Sequence, residues 1–112
     1  MNRNYLGEFE ELILLAVAVM DGHAYGIALL CELSQKSVRQ ARLSQVHSAL
    51  QRLEEKGMVK SSMGEPTAER GGRRKRLFTI TAYGRRTLQE IQEVRDSFWG
   101  RLINPFKLAV NL

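Results

Sequence analysis

The chain contains a single cysteine among its 112 residues. One cysteine excludes an internal disulfide framework and a cysteine-based metal cluster, and it fits the reducing cytoplasm. We expect Cys31 to be a small, buried helix residue. We expect no signal peptide either, because the apolar run at residues 12–20 follows acidic residues where a signal peptide carries basic ones. That run is too short to cross a bilayer, so we expect a cytoplasmic protein without membrane contact.

Patterns of catalytic residues are missing as well. The sequence has no Ser/His/Asp set in a suitable context, no cysteine paired with a histidine, and no glycines at P-loop spacing. Its two histidines, His23 and His47, lie far apart and have too few cysteine or carboxylate neighbours to indicate a metal site. The sequence therefore predicts neither an enzyme nor a protein that holds a metal or cofactor.

The positive charge is concentrated in the middle of the chain. The whole chain has 17 Lys and Arg against 12 Asp and Glu, a net charge of +5. Residues 36–86 hold 13 of these cations and 4 of the acids, a local charge of +9, whereas the rest has a charge of −4. The densest cluster, at residues 69–76, surrounds two glycines and leads into an alternating apolar run. A basic hairpin of this kind indicates a polyanionic partner.

Hydrophobic periodicity predicts four helices and two strands. The first helix covers residues 8–20, and the second covers residues 25–35 with Tyr25 and Ile27 in the core. Residues 37–43 form a connector or a short strand. The remaining predicted elements are a third helix from its N-cap Ser44 to Lys56, strands at 58–63 and 75–81 around a loop at 64–72, and a fourth helix from its N-cap Thr81 to about Ile103.

This order is mainly α with a small β-hairpin, an α+β fold, and it matches the winged helix-turn-helix plan. Residues 1–81 are then a DNA-binding domain, and residues 82–112 a C-terminal dimerisation helix and tail. The polar side of the third helix predicts base or phosphate contacts by Ser44, Gln45, His47, Ser48, Gln51 and Arg52. The hairpin loop, or wing, predicts phosphate contacts by Arg70, Arg73, Arg74 and Lys75. An ordinary solvated helix face and a solvated loop are the alternatives.

The fourth helix carries an apolar stripe that the small three-helix core can cover only in part. A helix of this length spans roughly 30 Å, and a twofold partner could cover the remainder. We therefore expect a homodimer whose interface contains Leu88, Ile91, Val94, Phe98, Trp99 and Leu102.

Five short motifs together resemble the PadR family of bacterial transcriptional regulators. Each motif is weak alone, but their order and spacing are specific, and the similarity extends over residues 6–102. The motifs are Leu6-Gly7-Glu8-Phe9-Glu10-Glu11, Ala24-Tyr25-Gly26, residues 49–57, Gly71-Gly72-Arg73-Arg74 and Thr79-Ile80-Thr81-Ala82-Tyr83-Gly84.

The resemblance implies a homodimeric repressor of the family's short branch, with one C-terminal helix that builds the dimer. The chain has His47 where family members commonly have a tyrosine. Some multidrug-sensing members stack flat aromatic ligands on a tryptophan of this helix, so Trp99 has two interpretations: interface packing or contact with a small aromatic effector.

The expected function is binding of double-stranded DNA at a pseudo-palindromic operator, without a cofactor. The alternatives are a winged-helix module for protein–protein contact and an RNA-binding or non-specific nucleic-acid-binding protein.

Overall fold

The computed structural model describes residues 6–36, 40–66 and 74–103. The elements in chain order are α1 (Glu8–Val19), α2 (Gly26–Lys36), α3 (Leu43–Glu55), β1 (Val59–Pro66), β2 (Arg74–Ile80) and α4 (Ala82–Ile103). This confirms the predicted α+β architecture with its winged helix-turn-helix order.

The core lies between the first three helices and the base of the hairpin. Ile13, Leu14 and Val17 of α1 are fully buried, as is Leu29 of α2. The apolar stripe of α3 packs against them, and its four members are essentially inaccessible to solvent: Val46, Ala49, Leu50 and Leu53. Burial of this one face orients α3 and leaves its opposite face exposed.

The end of α3 directs the chain into the hairpin through Gly57. This glycine has a φ of 79°, a conformation that L side chains rarely adopt. Its N–H donates to the carbonyl of Glu54 at 3.0 Å, and the N–H of Met58 donates to the carbonyl of Leu53 at 2.9 Å. These two bonds form a Schellman motif, and β1 starts at Val59, four residues after the last residue of α3.

β1 and β2 pair antiparallel from Val59 opposite Ile80 outward, with a register shift between Met63 and Pro66. The chain before α2 pairs with the other edge of β2 in an isolated antiparallel β-bridge, because the N–H of Phe78 donates to the carbonyl of Ala24 at 2.8 Å. The hairpin is thus connected to α3 through β1 and to the start of α2 through β2.

α4 begins at the predicted cap, since Thr81 Oγ1 accepts the N–H of Gly84 at 3.0 Å. Gly84 lies so close to β1 that a Cβ there would be 2.3 Å from the carbonyl oxygen of Met58. Leu88 and Ile91 pack against the core. Residues 92–103 are exposed, so the second half of α4 projects from the body.

Several local predictions were wrong. The N-cap of α3 is Arg42 rather than Ser44, because the Gln45 side chain reaches back and its Oε1 accepts the Arg42 N–H at 2.8 Å. Cys31 and Ile27 are exposed, since the core takes Leu29 and Leu33 of α2 instead. β1 extends through residues 64–66, which were predicted as loop, because the strand pairing continues beyond the register shift.

Candidate DNA-binding and dimerisation surfaces

The exposed face of α3 presents all six predicted recognition residues to solvent. They are polar or charged, and they lie opposite the buried stripe of the same helix. A shallow groove of about 310 Å³ runs along this face towards α1, lined by Phe9, Ser44, Gln45, Ser48 and Arg52. The helix can therefore offer hydrogen-bonding side chains to the major groove of a duplex.

Two of the six residues also make contacts that stabilise the fold. Gln45 caps the N-terminus of α3 through Oε1, which leaves its NH₂ group as the donor that can face a ligand. Arg52 donates from Nε to Glu10 Oε2 at 2.6 Å, although about half of its side chain remains exposed. Gln51 makes only a long contact of 3.5 Å with Glu55, one turn further along the helix.

Glu10 is the buried anion that holds α3 against α1. Its side chain is 10% exposed, and it accepts hydrogen bonds from Arg52 Nε and Lys56 Nζ, each at 2.6 Å. Burial alone would raise the pKa of the Glu10 carboxyl, but the hydrogen bonds and charges of Lys56 and Arg52 outweigh it and lower the pKa. α3 is thus oriented by an ion pair as well as by its apolar face.

Sequence reasoning missed this role of Glu10. The available signal was its position three, four and seven residues before Ile13, Leu14 and Val17, on the buried stripe of α1. An acidic residue on such a stripe indicates a buried charge that needs partners.

His47 packs against the start of α2. Its imidazole lies so close to Gly26 that a Cβ there would be 2.6 Å from the ring carbon Cε1. The ring borders a cleft of about 270 Å³ between α2, α3 and β2, which Lys75 and Arg76 also line. His47 is therefore placed beside the hairpin as well as on the exposed face of α3.

The wing cations that the structure describes lie at the loop end of the hairpin, where β2 begins. Arg74 is exposed and donates from Nε to the carbonyl of Gly64 at 3.1 Å. The Lys75 ammonium lies 4.3 Å from the centre of the Tyr25 ring, a cation–π contact. Tyr25, which was expected in the core, is half-buried and supports this lysine. Arg70 and Arg73 lie outside the described residues.

A second surface, on α4, is apolar rather than charged. Leu88 and Ile91 are partly covered by the core, whereas the members beyond them are exposed by more than half: Val94, Phe98, Trp99 and Leu102. Leu15 and Val19 of α1 are exposed too, and α1 packs on α4. Sequence reasoning missed these two residues, which lie off the buried stripe of α1.

Within the described ranges, no group of three or more His, Cys, Asp or Glu side chains could hold a metal ion. None of the described helices combines the length and the apolar character needed to span a membrane.

Comparison with known families identifies the chain. The model of the transcriptional regulator PadR-like family matches residues 14–90, which include the helix-turn-helix, the hairpin and the first part of α4. The chain belongs to this family. The predicted family membership is thus confirmed, and the winged helix described above is the fold of a PadR-like regulator. No curated protein matches the chain in sequence.

Solved structures support the same fold. A PadR family transcription regulator of Clostridium difficile is 27% identical, with a TM-score of 0.68 over 89% of this chain and 98% of its own. A transcriptional regulator of Clostridium thermocellum is 25% identical, with a TM-score of 0.64 over 93% of this chain and 94% of its own. PadR of Bacillus subtilis, solved in complex with operator DNA, is 16% identical, with a TM-score of 0.62 over 76% of this chain and 46% of its own.

Proposed function

We propose that the chain is a sequence-specific DNA-binding repressor that acts in the cytoplasm as a homodimer on a pseudo-palindromic operator. The observation that carries this proposal is the exposed polar face of α3 beside a cationic hairpin, in a chain of the PadR-like family. Amide and hydroxyl side chains suit base edges in the major groove. The wing cations suit phosphates, which bind without sequence preference.

The homodimer is proposed from the apolar surface of α4. Phe98 is 64% exposed and Leu102 is 69% exposed, and an apolar patch of this kind marks an interface. A second copy can cover the same surface on both chains about a twofold axis. It would also place two recognition helices roughly 34 Å apart, one turn of the duplex. Leu15 and Val19 extend the proposed interface onto α1.

In this proposal residues 1–81 form the DNA-binding domain, and residues 82–112 form the dimerisation helix and tail. This division of the chain stays a prediction. Trp99 lies in the proposed interface and is 55% exposed. It is the only tryptophan of the chain, so its fluorescence reports directly on dimer formation and on stacking of a small aromatic effector.

The test is a fluorescence-anisotropy titration with three probes: duplex from the protein's own promoter, random duplex, and RNA of equal length. We expect promoter duplex to bind at least tenfold tighter than random duplex, and sedimentation to give a dimer. Equal affinity for all three probes would favour the non-specific alternative. Absence of binding to any of them would favour the protein–protein module.

A further inference from the structure

Two neighbouring glutamates of α1 connect it to two different helices. Glu10 binds α3 through Arg52 and Lys56. Glu11 accepts a hydrogen bond from Arg95 Nη2 of α4 at 2.7 Å, and its side chain is only 13% exposed. Because Glu10 pairs α1 with α3, the contact between Glu11 and Arg95 connects α4 through α1 to α3.

The first turns of α4 are fixed by the close packing of Gly84 on Met58 and by the buried Thr87, so the inference concerns the direction of the later turns. Leu88 and Ile91 are only partly buried, and apolar contacts of this type are non-directional. Within the described part of the chain, the hydrogen bond of Arg95 is the last one along α4 that reaches another element. It lies three residues before Phe98, at the boundary between the packed half of α4 and the projecting half.

We propose that Glu11 and Arg95 are positioning residues that determine which half-site spacing the dimer accepts. This inference rests on the proposed function, since it requires a dimer formed through α4. With roughly 20 Å between this pivot and the DNA-contacting face of a small domain, a change of 10° displaces each recognition helix by about 3–4 Å. Because both helices move, their separation changes by up to about 7 Å, which is about two base-pair steps of roughly 3.4 Å.

The size of the effect follows from the exposure of the pair. A partly exposed ion pair changes an equilibrium by up to about fivefold, and a symmetric dimer contains two copies of it. Loss of both copies can therefore remove a discrimination of roughly tenfold between neighbouring spacings, while affinity for a single half-site stays the same.

The experiment uses the half-site that the wild-type protein selects from random duplexes. Two copies are placed in one duplex, and their separation is varied in single base-pair steps around one helical turn. Four variants are compared with the wild type: Glu11→Gln, Arg95→Gln, the charge exchange Glu11→Arg with Arg95→Glu, and the control Glu93→Gln. Glu93 is the control because it is exposed on α4. Its variant has the same net charge as Glu11→Gln, since both replace a glutamate by a glutamine. Thermal melts and sedimentation verify folding and dimer formation.

We expect the wild type and Glu93→Gln to prefer one spacing by about tenfold. Each of the two single neutral variants should lose at least threefold of this preference, and the charge exchange should regain most of it. If both neutral variants keep the wild-type profile, or if the dimeric wild type has no spacing preference, the inference is wrong although the proposed function stands. A wild-type protein that is monomeric, or binds no duplex, would instead refute the proposed function itself.

Discussion

Replacing Glu10 by glutamine should destabilise the fold although the side chain keeps its size. The carboxylate is 10% exposed and accepts two charge-assisted hydrogen bonds at 2.6 Å. Such bonds contribute roughly 1.5–3 kcal/mol each when fully shielded. The side chains of Arg52 and Lys56 are 49% and 32% exposed, however, so water can replace much of the lost interaction. We therefore expect a total loss of about 1–2 kcal/mol.

This loss should appear as a lower melting temperature in calorimetry. A change of 1 kcal/mol shifts the melting temperature of a small domain by roughly 4–8 °C. The protein concentration must be the same in all samples, because the stability of a dimer depends on it. The matched control is Glu32→Gln, which removes an exposed ion pair with Lys36 at 3.7 Å on α2. That change should cost only about 0.3–0.5 kcal/mol.

The pH dependence separates the charge of Glu10 from its packing. Its pKa is lower in the folded protein than its ordinary value of 4.5. The ion pair therefore stabilises the fold fully above about pH 4.5, and its contribution is lost as the pH falls through the lower folded pKa. The difference in melting temperature between wild type and Glu10→Gln should shrink over that range. A difference that persists unchanged to pH 3, or none at pH 7, would refute the ion-pair explanation.

Four further changes test the fold and the proposed function. Arg74→Ala should weaken binding to all duplexes alike. It should also reduce the slope of log affinity against log salt concentration by about 0.9 if one phosphate contact is lost, and an unchanged slope in salt titrations contradicts this. Gln51→Ala should cost roughly 1–3 kcal/mol of binding free energy on the cognate duplex and little on random DNA; equal losses on both would show that Gln51 contacts the DNA phosphate backbone rather than a base. Phe98→Asp should produce monomers in sedimentation with much weaker operator binding, and an intact dimer would exclude Phe98 from the interface. Gly84→Ala should lower the melting temperature, because its Cβ would meet the Met58 carbonyl oxygen at 2.3 Å, and an unchanged melting temperature would show that α4 can move away.

Sequence periodicity predicted the fold well wherever one face of an element is buried. The stripe of α3 and the cap at Thr81 are as expected, since local spacing and a single side chain determine them. Prediction from the sequence was wrong where two neighbouring residues could each begin the same helix. Serine is the more common N-cap, yet α3 starts earlier because Gln45 caps the Arg42 N–H.

Long-range ion pairs were beyond sequence reasoning for a different reason. Glu10 and Arg52 are 42 residues apart, and Glu11 and Arg95 are 84 apart. No local spacing rule relates such residues. The charge of Glu10 on a buried stripe indicates that a partner is needed, but only the packing of α1 against α3 identifies it. The sequence thus indicates that Glu10 needs a partner, whereas the identity of the partner depends on the packing of the helices.

These contacts restrain some of the exposed residues of α3 and leave others available to bind DNA. Arg52 keeps its Nε–H in a 2.6 Å hydrogen bond to a buried carboxylate, so its remaining four N–H groups can reach DNA only from the orientation that this bond imposes. Gln45 is restrained in the same way, because its Oε1 accepts the capping bond and only its NH₂ group can face DNA. Neither restraint acts on Ser48, which is exposed in the middle of the helix. Gln51 makes only a contact of 3.5 Å that it can exchange for a base edge at little cost. We therefore expect sequence preference to depend mainly on Ser48 and Gln51, while Arg52 keeps the helix at the angle from which they can reach the groove.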